Sequence, residues 1–207
     1  VRVQGALPGT LTPDLLAEAD VVLLCNVSRL SHGPLAALKR RVEEGAGLMV
    51  CLGDRVDVRH YNDRLFPTLF PASLVSITGT PGQTRTYHTL KTPLSEHSLF
   101  QEIVQEDRFV SPHFYAYYRV RLGGVARPVA AFSTGSPALA EGKLGAGRVV
   151  LFASSLKMDL SWTDLALSGF FIPLVHQLSR YLAVGAFGQA DYAHDIRLAC
   201  HGLDRND

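Results

Sequence analysis

Two short apolar runs joined by one amphipathic helix constrain this chain more than any other feature. Val21, Val22, Leu23, Leu24 and Cys25 form a continuous apolar stretch, and residues 48–52, LMVCL, form another. Strands that read this way, without alternation, are covered on both faces, as in a parallel sheet. Between them Ser31 is placed to cap a helix whose Leu35, Leu38 and Val42 share one stripe, while Lys39, Arg40, Glu43 and Glu44 face water. Gly45, Ala46 and Gly47 end that helix. Strand, helix and strand within about 32 residues is the length that a parallel crossover needs. The pattern therefore predicts an α/β fold with a central, mostly parallel sheet and helices on both faces.

The remaining segments extend this reading. Thr12 and Pro13 offer an N-cap and an N1 proline for a short helix through Glu18. Residues 57–65 predict a further helix ending near Pro67, and residues 73–78 another strand. The stretches 85–89, 113–122 and 127–132 alternate or carry aromatic residues, which predicts antiparallel strands in the second half, with one helical run over 97–105. Residues 138–144 and 148–153 flank Gly145, Ala146 and Gly147 as a hairpin would. From 169 to 184, Phe171, Leu174, Val175, Leu178 and Leu182 recur at helical spacing, with Pro173 in the first turn. Beyond Gly185 the pattern fades. The expectation is one domain over 1–184, with 185–207 a tail or the start of a following segment.

Composition excludes several classes of function. Of 207 residues, 47% are hydrophobic and 19% charged, enough for one large core. Twenty basic and nineteen acidic residues leave a net charge of +1 with no basic block, so no nucleic-acid partner is expected. Three cysteines without close spacing make neither a disulfide framework nor a zinc site. No apolar stretch reaches the roughly 18 to 20 residues of a membrane span, so no direct membrane insertion is expected. The opening VRVQGALPG is neither a signal peptide nor an initiator-Met start, and the chain reads as a soluble piece of something longer.

Ligands of open parallel sheets bind beyond the carboxyl ends of the strands. That rule selects Asn26 and Ser28 after one strand, Cys51, Asp54 and Arg55 after the next, and Ser154 and Ser155 after a late one. Cys51 is either a nucleophile activated near a helix N-terminus with Arg55 close by or an inert residue closing a buried strand, the more common fate of a free cysteine. Asp54 and Asp57 are spaced as an N-cap and its N3 partner, although a metal or acid/base pair would use the same residue types. The Arg55 guanidinium could hold an anion. None of the eight histidines has zinc-helix spacing, His194, Cys200 and His201 cluster only near the end, and no cofactor motif is present.

Taken together, ADVVLLCNVSRLS, LKRRVEEGAGLMVCLGDRVDVRHYN, SEHSLF, SPALAEGKLGAGRVVLFASSLKMDLSW and GFFIPLVHQLSRYLA resemble the class I glutamine-amidotransferase-like domain of BatA or aerotolerance-regulator-type bacterial membrane proteins. The resemblance covers residues 20–183. It implies a flavodoxin-like sheet and a membrane-anchored parent in which this domain accompanies others, often a von Willebrand factor type A domain. Working relatives carry their nucleophile in a block reading like GICLGHQ, which VCLGDR at residues 50–55 matches over Cys51, Leu52 and Gly53. Asp54 and Arg55 replace the following His-Gln, and the late His-Pro-Glu has no counterpart in FASSLKMD. A thiol without a positioned base lacks both its activation and a proton for the leaving amine. The expectation is a non-catalytic interaction or ligand-sensing module. The alternatives are a cysteine-dependent amidase or hydrolase using Cys51, and a small-ligand or carbohydrate-binding domain at the strand ends.

Overall fold

The computed structural model describes residues 2–6, 11–91, 94, 97–104, 109–158, 160–187 and 197–201. Its centre is a seven-stranded mixed sheet in the order β1-β9-β2-β3-β8-β7-β6. Five neighbours run parallel: β1 (Arg2–Ala6), β9 (Arg197–His201), β2 (Val21–Cys25), β3 (Gly47–Cys51) and β8 (Gly147–Phe152). β7 (Pro137–Leu144) and β6 (Arg127–Ala131) extend the β8 edge antiparallel. The chain is thus α/β, with the parallel strands and the hairpin where the apolar runs and glycines indicate.

The two central helices lie on opposite faces. After α1 (Pro13–Ala17), which Thr12 caps, α2 (His32–Glu43) begins behind Ser31 and buries Leu35, Leu38 and Val42, the stripe read from the sequence. α6 (Phe171–Phe187) packs against β2, β3 and β8. The register Leu48↔Val149 puts Gly47 and Gly147 on opposite faces of the sheet. A Cβ on Gly47 would lie 2.6 Å from Leu182 Cβ in α6, and one on Gly147 would collide with the Val42 carbonyl of α2. Glycine at both positions is what allows each helix to approach the sheet closely.

A buried carboxylate fixes α6 to the antiparallel edge. Glu141 of β7, 6% exposed, accepts from the Tyr181 hydroxyl of α6 and from Arg127 Nε of β6 at 2.5 Å. Burial pushes this carboxyl up, but the Tyr181 and Arg127 hydrogen bonds outweigh it and hold it below the usual range.

Several expectations need correction. Residues 73–78 do form a strand, β4 (Ala72–Gly79), but it pairs antiparallel with β5 (Ala116–Leu122) in a separate two-stranded sheet. Residues 85–89 form no strand and contribute one isolated bridge, His88↔Phe114, with Leu90↔Phe132 just beyond them. The run from 97 shrinks to one turn, α5 (Ser98–Gln101); Gln105 lies outside the described residues. Pro67 ends nothing: α3 (Val58–His60), a π-helical turn (Tyr61–Leu65) and α4 (Phe66–Leu69) follow without a break. The proline ring sits directly behind the π turn, where the hydrogen-bond ladder has already shifted by one residue. The boundary at 184/185 falls inside α6, and Arg197–His201, read as tail, is the strand inserted between β1 and β2.

Candidate functional site

β2, β3 and β8 end side by side at Cys25, Cys51 and Phe152. The loops that leave them position every residue selected from the sequence. Asn26 turns the chain sharply with φ 53°, a left-handed conformation that asparagine tolerates better than most residues. Its backbone N–H donates to the Cys51 carbonyl at 2.9 Å. Its Nδ2 donates to Asp54 Oδ1 at 2.7 Å, and its Oδ1 accepts from the Arg55 N–H at 2.9 Å. A Cβ on Gly53 would lie 2.5 Å from that Oδ1, so the glycine is what lets the amide lie across the turn. Asn26, Asp54 and Arg55 are therefore brought together as a knot joining two loops.

The remaining candidates are placed otherwise. Asp57, and not Asp54, caps α3 by accepting the His60 N–H at 2.9 Å; Asp57 also accepts from Arg29 Nε at 2.7 Å. The His60 N–H and the Arg29 side chain hold this half-buried carboxyl below its usual range. The Ser28 carbonyl accepts from the Asp57 N–H at 3.3 Å, which ties the first loop to the start of α3. Ser154 and Ser155 are both fully buried. Ser154 Oγ donates to the Ala116 carbonyl at 2.8 Å, and Ser155 Oγ accepts from the Lys157 N–H at 3.0 Å. Both hydroxyls thus serve the cover that β5 and the loop after β8 place over the sheet edge.

Cys51 lies beneath that cover, 0% exposed. It stands in register with Cys25, whose thiol is held below its usual pKa by hydrogen bonding to Cys51, against the opposing effect of burial. Above, Tyr118 donates its hydroxyl to the Gly53 carbonyl at 3.3 Å and its N–H to the Ala153 carbonyl at 2.8 Å. A nucleophile must be reached by substrate, and this arrangement gives Cys51 no solvent-facing surface. Among the described residues no group of three His, Cys, Asp or Glu side chains could hold a metal. His194 and the side chains of Cys200 and His201 lie outside the described residues.

An open concavity lies beside this knot. A pocket of about 630 Å³ is lined by Arg29, Leu30, Ser31, His32 and Leu35 from the loop after β2 and the first turns of α2, and by His60 and Arg64 from the helical run across from it. Sequence reading at the strand ends missed four of these, Arg29, His32, His60 and Arg64. Arg29 directly follows Ser28, and His60 and Arg64 are four apart, the one signal that could have placed them on a shared face. A second cluster, equally unannounced by spacing, joins His113 Nδ1 to Asp164 Oδ2 at 2.9 Å, with the Tyr87 ring 4.0 Å from the imidazole centroid.

His60 is the hinge of the pocket. Its Nε2 accepts the Leu30 N–H at 3.2 Å, so the bonded form is neutral with its proton on Nδ1. Burial lowers its pKa below the ordinary value of about 6.5; Asp57 opposes this shift, and Arg29 and Arg64 add to it. The unfolded chain then binds the proton more readily than the folded one. This contribution to stability is complete above about 6.5 and is lost as pH falls below it towards the folded pKa. The melting temperature should fall between pH 7 and pH 5 more steeply in the wild type than in His60→Gln, whose Oε1 can still accept the Leu30 N–H. Equal slopes in the two proteins would remove His60 as the source.

Comparison with known proteins bears on the fold alone. No protein-family model matches the sequence, and no curated protein matches it. Solved structures do resemble it. The cytoplasmic protein STM3548 from Salmonella typhimurium superimposes with a TM-score of 0.63 at 16% identity, over 83% of this chain and 75% of that one. A second cytoplasmic protein, STM1381 from Salmonella typhimurium LT2, gives 0.60 at 17% identity, over 87% and 76%. The β-galactosidase from Rahnella sp. R3 gives 0.57 at 13% identity, with 78% of this chain matching 22% of the enzyme. Among the described residues no helix is long and apolar enough to cross a membrane.

Proposed function

We propose that this chain is a class I glutamine-amidotransferase-like domain, flavodoxin-like in its parallel half, that lacks amidase chemistry and serves as a ligand-sensing module. The observation that carries this reading is the complete burial of Cys51, where a relative's nucleophile would stand, beside an open pocket built from the adjoining loops. Five adjacent parallel strands support the fold assignment. The hydrogen bonds among Asn26, Asp54 and Arg55 favour placing the ligand in the pocket next to them and not on them. The module would belong to a longer, membrane-anchored bacterial protein of the BatA or aerotolerance-regulator type. Its partners there would be the other domains of that protein, a von Willebrand factor type A domain among them.

The amidase alternative makes a direct counter-prediction. A glutamine-like electrophile such as 6-diazo-5-oxo-norleucine should leave the native protein without an adduct, while iodoacetamide in urea alkylates Cys51 and proves the thiol intact. An adduct on Cys51 in the native protein would sink the non-catalytic reading.

A further inference from the structure

We infer that the pocket between the head of α2 and the His60–Arg64 segment takes a small organic anion, an oxyanion head on a compact apolar body. This rests on the ligand-sensing reading and names the ligand class of that site. The lining holds two guanidinium groups and two imidazoles and no carboxylate. Asp57, bonded to two of these lining residues, already accepts from Arg29, through both Nε and Nη2, and from the His60 N–H. Asp57 compensates Arg29, so the Arg64 charge leaves the lining net positive, and its guanidinium fork suits a carboxylate or phosphate head.

The backbone points the same way. α2 has 12 residues, its Ser31 N-cap makes no side-chain capping bond, and its first turn holds no acidic residue. The N–H groups at such an end have no intrahelical partner and favour negative charge. Pro34 brings no N–H, which leaves His32 and Gly33 as the donors of that turn, and Gly33 faces open space where a ligand can come close. Neutral His60, its Nε2 occupied by Leu30, offers Nδ1–H as a further donor. The floor is apolar: Leu30 and Leu35 are 2% and 7% exposed. A volume of about 630 Å³ exceeds what a bare oxyanion fills and suits a head with a body attached.

The test is titration calorimetry of the whole chain, with amide NMR to locate binding. The probes are phenyl phosphate, benzoate, inorganic phosphate, benzyl alcohol and benzylamine. Phenyl phosphate or benzoate should bind saturably, shift the amides of Ser31, His32, Gly33 and His60, and weaken as salt is raised. Arg64→Ala should weaken that binding about tenfold, and Arg64→Glu should abolish it; Arg64→Lys should recover part of it. Which of the two anions binds more tightly decides between phosphate and carboxylate heads. Benzyl alcohol or benzylamine binding at these amides as tightly as the anions would overturn the ligand class and leave the sensing module standing. Anion binding that shifts only amides elsewhere would overturn it too, as would binding indifferent to Arg64→Glu. Absence of any shift at these amides from all five probes would overturn this inference and the sensing reading together.

Discussion

Trp162→Ala is expected to destabilise the fold by about 3 kcal/mol, at the lower end of the 3–5 kcal/mol typical of truncating a buried aromatic side chain. For a domain of this length that lowers Tm by roughly 6–12 °C. The indole is 1% exposed and stacks on Tyr118 with centroids 5.5 Å apart. The Trp162 carbonyl accepts from the N–H groups of Tyr115 and Ala116, at 2.7 and 3.1 Å, where β5 begins. The residue thus fastens the cover that shields Cys51, Ser154 and Ser155. The loss is small for a tryptophan because Nε1 is buried and finds no acceptor among the described residues. An unsatisfied donor already costs the native state about 1–3 kcal/mol, and alanine removes that cost with the ring. Trp162→Phe separates the two effects: it keeps most of the apolar surface, deletes the orphan donor and should cost about 1 kcal/mol or less. Urea unfolding reads both as shifts in midpoint at constant slope. A phenylalanine variant as unstable as the alanine one would mean that ring shape, and not the balance of burial against an unpaired N–H, sets the energetics there.

The parts of the fold that could be read from the sequence are those in which local pattern and burial agree. β2 and β3 are all but continuously buried, and an unbroken apolar run has no other comfortable place. The stripe of α2 and the glycine connection between β7 and β8 were legible for the same reason. β4 is legible as a strand but not in its place, because a β-branched sequence suits a strand wherever one can pair. Its exposed Val75 and Ile77 belong to an outlying two-stranded sheet and not to the core. β9 could not be read at all: RLACH is short and mixed, and its place between β1 and β2 depends on the return of the chain's far end.

The neighbourhood of the pocket was legible in the sequence and its lining was not. The strand-end rule leads to the edge beside which the pocket opens, yet at that edge the small polar residues are engaged in holding loops together. The Asn26 amide is taken up by the Asp54 carboxylate and the Arg55 backbone N–H, and the two serines are buried beneath β5. The groups left facing a cavity, Arg29 and Arg64 with their histidines, come from segments about 30 residues apart. Their convergence depends on a π turn that no composition rule announces. The absence of a late His-Pro-Glu was, by contrast, plain in the sequence, whereas the full burial of Cys51 shows only in the structure.

Tyr61 is where fold and pocket meet, and its variants should show this. Its ring is fully buried, edge-on to Phe66 at 5.4 Å, and opens the π turn that carries Arg64 towards the pocket. Burial pushes the phenol well above its usual pKa, so it remains a proton donor. That proton goes to the Val27 carbonyl at 2.7 Å, in the loop that continues to Arg29 and Leu30. Tyr61→Ala should cost about 3–5 kcal/mol through the cavity it leaves. Tyr61→Phe keeps the ring and strands a buried carbonyl, at about 1–3 kcal/mol. If the hydroxyl is a strut for the pocket loop, the phenylalanine variant should do more than lose stability: the Leu30 N–H, bonded to His60 across the pocket, should exchange with solvent faster than the global loss explains. Amides of β3, buried in the sheet, should then track global stability alone. Uniform acceleration at both places would reduce Tyr61 to a core residue and leave the pocket loop to be held by Arg29 and Asp57.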